Sequence, residues 1–312
     1  MRQSERLLRE GLLSVPGVGS GGFEVVSLQA GTDHFLRMDP YSAAVAFVCG
    51  LIDVKGDLVE AVRYHLARTH DGWQRQLLDA ICRWAPWQVA QRWQSRAAAA
   101  RNIRFHYDRS NGFYQQFLDA NLVYSCAYFQ DPGDSLDQAQ DRKLDQICRK
   151  LKLQPGERFL DIGCGWGALI LKAADKYAAQ ALGRTLSHHQ TEYAQERIRE
   201  RSLSSVASVC EGDYRDVVGE FDKIASIGMF EHVGGARLGD YFRKVYSLLA
   251  PEGLFLNHGI TRPASIHSDA QTMFIARRVF PGGQIVQLEE VVHAAEGAGF
   301  EVIDVENLRR HY

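Results

Sequence analysis

FLDIGCGWGALI, residues 159–170, decides how this sequence is read. An apolar run stops at Asp161, glycines follow at Gly163, Gly165 and Gly167, and apolar spacing then resumes. The pattern predicts a strand, a tight glycine turn and a helix. Glycine allows positive φ and lets the backbone approach a ligand, while the first turn of a helix offers N–H groups that lack intrahelical partners. Glycines also build purely structural turns, so the flanking sequence has to distinguish a ligand loop from a plain one.

Working outward, helix and strand patterns alternate from about residue 138. AQDRKLDQICRKLKL reads as a helix, ERFLDIG as a strand, ALILKAADKY as a helix, AQALGRTLS as a strand and HHQTEYAQERIRERS as a helix. ASVCEGD, DKIASIGM and GLFLNHGIT are further strands, and RLGDYFRKVYSLLAPEG reads as a helix ended by Pro251 and Gly253. Such alternation predicts a parallel sheet covered on both faces, with ligands beyond the C-terminal strand ends. Asp161 to Gly167, Thr185 to Gln190, Gly212 to Arg215, Gly228 to His232 and His258 to Thr261 would then line one site.

The chemistry of those ends narrows the ligand. A dinucleotide site expects an acidic residue about 20 positions beyond the glycines to hold the ribose. Here the second strand ends in TLSHHQ instead. Hydroxyls of Thr185 and Ser187 and the amide of Gln190 can bond a nucleoside without adding charge. No Lys or Arg lies in the glycine loop, and no GxxxxGK[ST] stretch is present, which argues against a nucleoside triphosphate. Trp166 offers a flat apolar wall. S-adenosyl-L-methionine (SAM), a sulfonium cation carrying an adenosine, suits these residues better than NAD.

Composition bounds the rest. A net charge of −2 argues against a nucleic-acid binder that works by bulk charge. The cysteines at 49, 82, 126, 148, 164 and 210 form no CxxC pair, so neither a metal site nor a disulfide framework is expected. The N-terminus lacks a signal-peptide core, and the run from Ala43 to Ile52 is too short to span a bilayer. These features point to a reducing, cytoplasmic setting with peripheral contact at the inner face of the membrane. Residues 1–100 form a smaller α+β accessory region with strand-like pieces FEVVSLQ and AVAFV, and residues 101–312 form the catalytic domain. Trp73, Leu77, Leu78 and Ile81 recur at helical spacing among Arg75, Arg83, Arg92, Arg96, Arg101 and Arg104. That pattern fits a surface helix packed on its own core, or one lying on anionic lipid.

YSCAYF (124–129), LDIGCGWG (160–167), TLSHHQ (185–190), EGDYRD (211–216), SIGMFEHVG (226–234), FPGG (280–283) and VENLRRHY (305–312) resemble the cyclopropane fatty acid synthase family of SAM-dependent lipid-modifying enzymes. The resemblance runs from about His106 to the last residue. It implies a Rossmann-like class I methyltransferase sheet, and transfer of a methylene carbon from SAM to the cis double bond of unsaturated phospholipid acyl chains. Asp161, Gly163, Gly165 and Gly167 would hold the methionine end, and Thr185, Leu186 and Gln190 the ribose. Asp213 and Tyr214 would border the adenine, with Tyr124 and Ser125 near the sulfonium. A bound bicarbonate is implied as the base, with Cys126 (through its backbone), Glu231, His258, Ile260 and Tyr312 as its ligands. Phe113, Tyr114 and Phe129 are candidates to stabilise a carbocation by cation–π attraction.

The same resemblance leaves a plain methyltransferase acting on another lipid or a small amine as the alternative, and a homodimer is possible within it. Family members continue past the His311–Tyr312 pair into a helix and a last strand. That strand is therefore expected to be missing here, with EVIDVENL (301–308) as a sixth strand carrying an exposed apolar edge. Weak stability, and a SAM-binding remnant with little or no turnover, would follow.

Overall fold

A computed structural model describes residues 12–14, 23–27, 40–68, 110–265, 274–275 and 279–311 of the protein. Backbone proximity groups residues 1–88 with 266–279 in one unit, and residues 89–265 with 280–312 in another. In the first unit, β1 (Leu12–Ser14), β2 (Phe23–Ser27) and β3 (Ile52–Gly56) form an antiparallel sheet in that order. Helices α1 (Pro40–Val48) and α2 (Leu58–Arg68) accompany it, and Ala43, Ala46, Ile52 and Ala61 make a small core. AVAFV is thus helical rather than a strand. Its alanines are strong helix formers, and Ala43 and Ala46, one turn apart, are residues that α1 buries. The Arg- and Trp-rich stretch from Trp73 to Arg104 lies outside the described residues.

In the second unit, after the one-turn helix α3 (Asn111–Tyr114), helix α4 (Leu136–Lys150) leads into the main sheet. The start of α4 is set by a reciprocal cap. Ser135 Oγ accepts from the Gln138 amide at 3.2 Å, and Gln138 Oε1 accepts from the Ser135 amide at 3.0 Å. Asp137 in its first turn and Arg149 and Lys150 in its last complement the helix dipole. Strands β4 (Arg158–Ile162), β5 (Gln180–Thr185), β6 (Ala207–Glu211), β7 (Phe221–Ile227) and β8 (Leu249–His258) are all parallel and lie in the order β6-β5-β4-β7-β8. Helices α5 (Ala168–Tyr177), α6 (His188–Glu200), α7 (Phe230–Val233), α8 (Leu238–Tyr246) and α9 (Leu288–Gly297) connect or cover them.

Side chains of β4 divide between two cores. Phe159 packs on one face with Leu144, Ile147 and Cys148 of α4 and Ile170 and Ala173 of α5. Leu160 and Ile162 pack on the other with Tyr241, Phe242 and Val245 of α8 and Ala295 of α9. Burial on both faces explains why the strands read as apolar runs. The chain leaves β4 toward β5 and β6, then crosses back to β7, so strand order reverses between β4 and β7. That switch point opens a crevice at the C-terminal strand ends.

Two boundaries differ from the sequence reading. The helix in RLGDYFRKVYSLLAPEG ends at Tyr246, and Pro251 and Gly253 belong to β8. The Leu248 carbonyl accepts from the Phe221 amide at 2.8 Å and Leu249 pairs with Phe221, so sheet pairing claims these residues before proline can act as a helix stop. EVIDVENL forms no strand. It runs along α4 instead, where Lys150 pairs with Asp304 and Glu306. The sheet offers Glu301–Leu308 no ladder partner among the described residues, and the acidic side chains of Asp304 and Glu306 face Lys150.

Gly167 ends the glycine turn at φ 84°, and a Cβ there would lie 2.9 Å from the Cβ of Ala194 on α6. Gly167→Ala should therefore cost about 2 kcal/mol of stability, from left-handed strain plus overpacking. Chemical denaturation measures it, and an unchanged midpoint would show that the turn relaxes freely.

Candidate functional site

The amides of Gly163 and Cys164 both donate to the carbonyl of Arg184 on β5, at 2.9 and 3.0 Å. This clamp holds the turn over the end of the neighbouring strand. Gly163 and Gly165 take φ of 80° and 54°, and a Cβ on Gly165 would meet nothing within 4 Å, so its missing side chain leaves open space. A cavity of about 160 Å³ lies there, bounded by the ends of β4, β5 and β7, the 122–125 segment and the turn after β6.

Tyr124, Ser125, Asp161, Gly163, Gly165, Thr185, Leu186, Gln190, Asp213 and Tyr214 all line this cavity. Gly167 does not; it sets the close approach of α5 to α6. At the end of β5, Thr185 Oγ1 donates to Gln190 Oε1 at 2.6 Å, while buried Ser187 caps α6. The side-chain Nε2 of Gln190 makes no hydrogen bond among the described residues and remains as a donor. Asp213 is held by Arg215, whose Nε lies 2.8 Å and Nη2 2.5 Å from its carboxylate. Burial pushes the Tyr214 phenol up to about 12, so it stays a neutral donor.

Below the glycine turn the cavity floor is charged and closed off. Asp161 is buried, its Oδ1 has no hydrogen-bond partner among the described residues, and burial raises its carboxyl to about 7 against the opposing pull of Lys143. Lys143 of α4 is 3% exposed and its Nζ donates to Ser125 Oγ at 2.8 Å. Burial lowers its ammonium to about 8, opposed by Asp161, Asp119 and Cys126. Gln140, one turn earlier, donates to the carbonyls of Ser125 at 2.8 Å and Val123 at 3.3 Å.

A second group of side chains sits beside the cavity without lining it. Glu231 of α7 accepts from the Ile260 amide at 2.7 Å through Oε1, and its buried Oε2 has no hydrogen-bond partner among the described residues. Burial raises its carboxyl above the ordinary range. Gln284 braces α7 from behind: its amide donates to the Glu231 carbonyl at 2.8 Å, and its Oε1 accepts from the Gly235 amide at 3.0 Å. Burial, then the Lys143 charge, lowers His258 to about 4, so its imidazole is neutral near pH 7. Cys126 is buried, and its thiol reaches the Leu308 carbonyl at 3.8 Å. His311 accepts from the Phe129 amide at 3.1 Å and stacks on Tyr128 with ring centroids 4.4 Å apart. The 126–129 segment and the 308–311 segment therefore meet. Tyr312 lies outside the described residues.

The aromatic candidates separate. Tyr114 is 2% exposed and packs edge-on to Trp166, whose indole N–H donates to Asn111 Oδ1 at 2.9 Å. Phe113 and Phe117 are each 48% exposed and adjoin Tyr114, with Phe117 also meeting Tyr124 of the cavity wall.

The family model for mycolic acid cyclopropane synthetase matches residues 94–312. The chain belongs to that family. It is 41% identical over 276 residues to a Pseudomonas putida protein named "Probable fatty acid methyltransferase", covering 86% of this chain and 67% of that protein. It is 40% identical over 192 residues to the cyclopropane-fatty-acyl-phospholipid synthase of Escherichia coli, covering 61% of this chain and 48% of that enzyme. The chain thus spans about two thirds of the one relative and about half of the other. Among solved structures, the mycolic acid cyclopropane synthase CmaA1 complexed with SAH and CTAB superposes with a TM-score of 0.63 at 34% identity, covering 68% of this chain and 78% of that one.

The cyclopropane synthetase fold is that of the class I SAM-dependent methyltransferases, as the resemblance implied. Sequence reasoning missed Gln140, Lys143, Arg184 and Gln284. A signal existed for the first two. Gln140 and Lys143 fall on the same stripe as Ala139, Leu144 and Ile147, where polar residues are unexpected. Arg184 acts through its backbone carbonyl, which residue type does not announce, and Gln284 through its backbone amide and a side-chain oxygen whose partner is 49 residues away in sequence.

Among the described residues no helix is long and apolar enough to cross a membrane, and no group of three His, Cys, Asp or Glu could hold a metal ion. The raised carboxyl of Asp161 predicts a pH signature. Because folding favours its protonated form, stability falls as pH rises from the unfolded value near ~3.9 toward about 7. Asp161→Asn should remove that slope, matching the parent near pH 4 and exceeding it by about 4 kcal/mol at pH 8, since the carboxyl is raised by about three pH units worth ~1.4 kcal/mol each. Denaturant titrations at both pH values decide it, and parallel slopes in the two proteins would refute it.

Proposed function

We propose that the protein transfers a methylene carbon from SAM to the cis double bond of unsaturated phospholipid acyl chains, closing a cyclopropane ring. The observation that carries this reading is Glu231: a half-buried side chain with one buried, unpartnered carboxylate oxygen, fixed by the Ile260 amide, beside a nucleoside-sized cavity rather than inside it. Simple transfer to a heteroatom needs only the cavity. Attack by an alkene also needs a place to deliver a proton.

The cavity residues fit the cofactor. The open face at Gly165 admits its backbone-hugging methionine arm, the unpartnered Asp161 Oδ1 suits an α-ammonium, and the donors of Gln190 suit ribose hydroxyls. Bound there, SAM supplies an electrophilic methyl group. A neutral His258, a protonation-prone Glu231 and the backbone at Cys126 are the described residues that fit a bicarbonate, with Tyr312 as the further ligand the family resemblance implies. Bicarbonate bound there would supply the base. Glu231 Oε2 is the acceptor able to hold an acid proton, and Ile260 fixes its geometry. Gln284 positions α7 so that Glu231 stays turned away from water.

The exposed Phe113 and Phe117, joined to the cavity wall through Tyr124, support an apolar acyl chain arriving on that side. Aromatic faces there stabilise positive charge developing on the chain without reacting with it. Residues 1–100 as an accessory region that contacts the inner face of the membrane, in a cytoplasmic protein, complete the reading. A second reading, C-methylation without ring closure, is favoured by the 41% identity to the Pseudomonas putida protein named "Probable fatty acid methyltransferase".

Mass spectrometry of lipids from cells expressing the chain tests both. Cyclopropanation adds one CH2, ~14 daltons, and consumes the alkene; methylation with later proton loss adds the same mass and keeps an alkene, which ozonolysis reveals. Glu231→Gln should lower product at least about a hundredfold, the range of a lost general acid–base group. A product that forms equally well in Glu231→Gln would overturn the assignment of Glu231.

A further inference from the structure

The charged floor of the cavity contains more hydrogen-bonding capacity than the protein itself uses. Lys143 is buried, carries three N–H donors, and makes one hydrogen bond among the described residues, to Ser125 Oγ at 2.8 Å. Among the described residues no carboxylate lies within ion-pair distance of it. Two buried acceptors close to it, Gln140 Oε1 and Asp161 Oδ1, also have no donor among the described residues. Burying a lysine merely to fill space is costly, and an apolar side chain would fill the same stripe of α4 at no such cost.

The bond to Ser125 has a directional consequence. An ammonium only donates, so Ser125 Oγ must accept from Lys143, and the hydroxyl's own proton is turned toward another acceptor. Ser125 lines the cavity, and Gln140 locks its backbone by donating to its carbonyl. The floor therefore presents an O–H donor backed by a positive charge at Ser125, and an unfilled carboxylate oxygen at Asp161. A group bearing a carboxylate and an ammonium on one carbon matches that pair.

We propose that Lys143 is a positioning residue for the amino-acid end of the cofactor, orienting the Ser125 hydroxyl toward the α-carboxylate while Asp161 takes the α-ammonium. This deepens the SAM reading above and rests on it. The groups facing Lys143 are Asp161 on β4, Asp119 and Cys126 on the segment between α3 and α4, and His258 on β8. Asp119 is occupied by the amides of Val123 at 2.7 Å and Asn121 at 3.0 Å, so Asp161 is the acid left to act with Lys143 on a ligand.

The test is calorimetric binding of two probes to the purified chain: S-adenosylhomocysteine, which has the amino-acid end, and 5′-methylthioadenosine, which lacks it. Lys143→Met should weaken S-adenosylhomocysteine by about tenfold or more and leave 5′-methylthioadenosine unchanged. Between pH 7 and 9.5 the advantage of the parent over Lys143→Met should shrink as the ammonium, lowered to about 8, loses its charge. The titrating amine of the ligand is common to both proteins and cancels in that comparison. Should Lys143→Met fail to fold, Ser125→Ala decides: selective loss of S-adenosylhomocysteine supports the proposal. Equal weakening of both probes, or unchanged discrimination between them, overturns Lys143 while leaving the SAM reading intact. Failure of the parent chain to bind either probe overturns the SAM reading and this proposal with it.

Discussion

Everything at the candidate site hangs on a carbonyl group shared between two strands. The Arg184 carbonyl accepts from two successive amides, those of Gly163 and Cys164, and so ties the exit of the central strand to the end of its neighbour. Without that clamp the glycine turn would have no fixed height above the sheet, and the distance from Gly165 to Thr185 and Gln190 would drift. Because α5 starts at Gly167 and packs against α6 there, the same clamp also fixes where both helices begin. Reversal of strand order between β4 and β7 then leaves the crevice open on the other side.

Placing Asp161 near the C-terminal end of a central strand has an electrostatic cost that the rest of the floor is arranged around. A lone carboxylate in that position shifts toward its neutral form, and Lys143 reaches it from α4 with partial compensation only. A floor of this kind is poised between charge states near neutral pH, which suits a ligand that brings its own pair of charges. Glu231 follows a different design. Its surroundings raise it as well, yet a backbone amide takes one oxygen, so the carboxyl is held in place while the other oxygen is left without a partner.

Much of this was legible in the residues. Glycine at 163, 165 and 167, hydroxyls and an amide in TLSHHQ, and alternating helix and strand patterns depend on local geometry and on period, which a sequence states directly. The segments that misled did so for non-local reasons. AVAFV has an apolar run that periodicity alone cannot assign to strand or helix, and its alanines settled the matter. Pro251 resembles a helix stop but lies in a strand, because a ladder to Phe221 had already claimed Leu248 and Leu249. EVIDVENL has strand character, but a strand needs a partner, and its carboxylates found Lys150 on α4 instead.

By itself, the sequence determined the parallel sheet, the glycine turn, the cofactor-facing strand ends and the family, since each rests on residue type at fixed spacing. Tertiary structure alone decided which polar groups share a buried floor. Gln140 and Lys143 are ordinary helix residues until α4 packs under Ser125 and Asp161, and Leu308 stands far from Cys126 in sequence until the chain folds back on itself. Hydrogen bonds and charge pairs act across a few ångströms of space whatever the separation along the chain, so their partners become known only once the fold has set those distances.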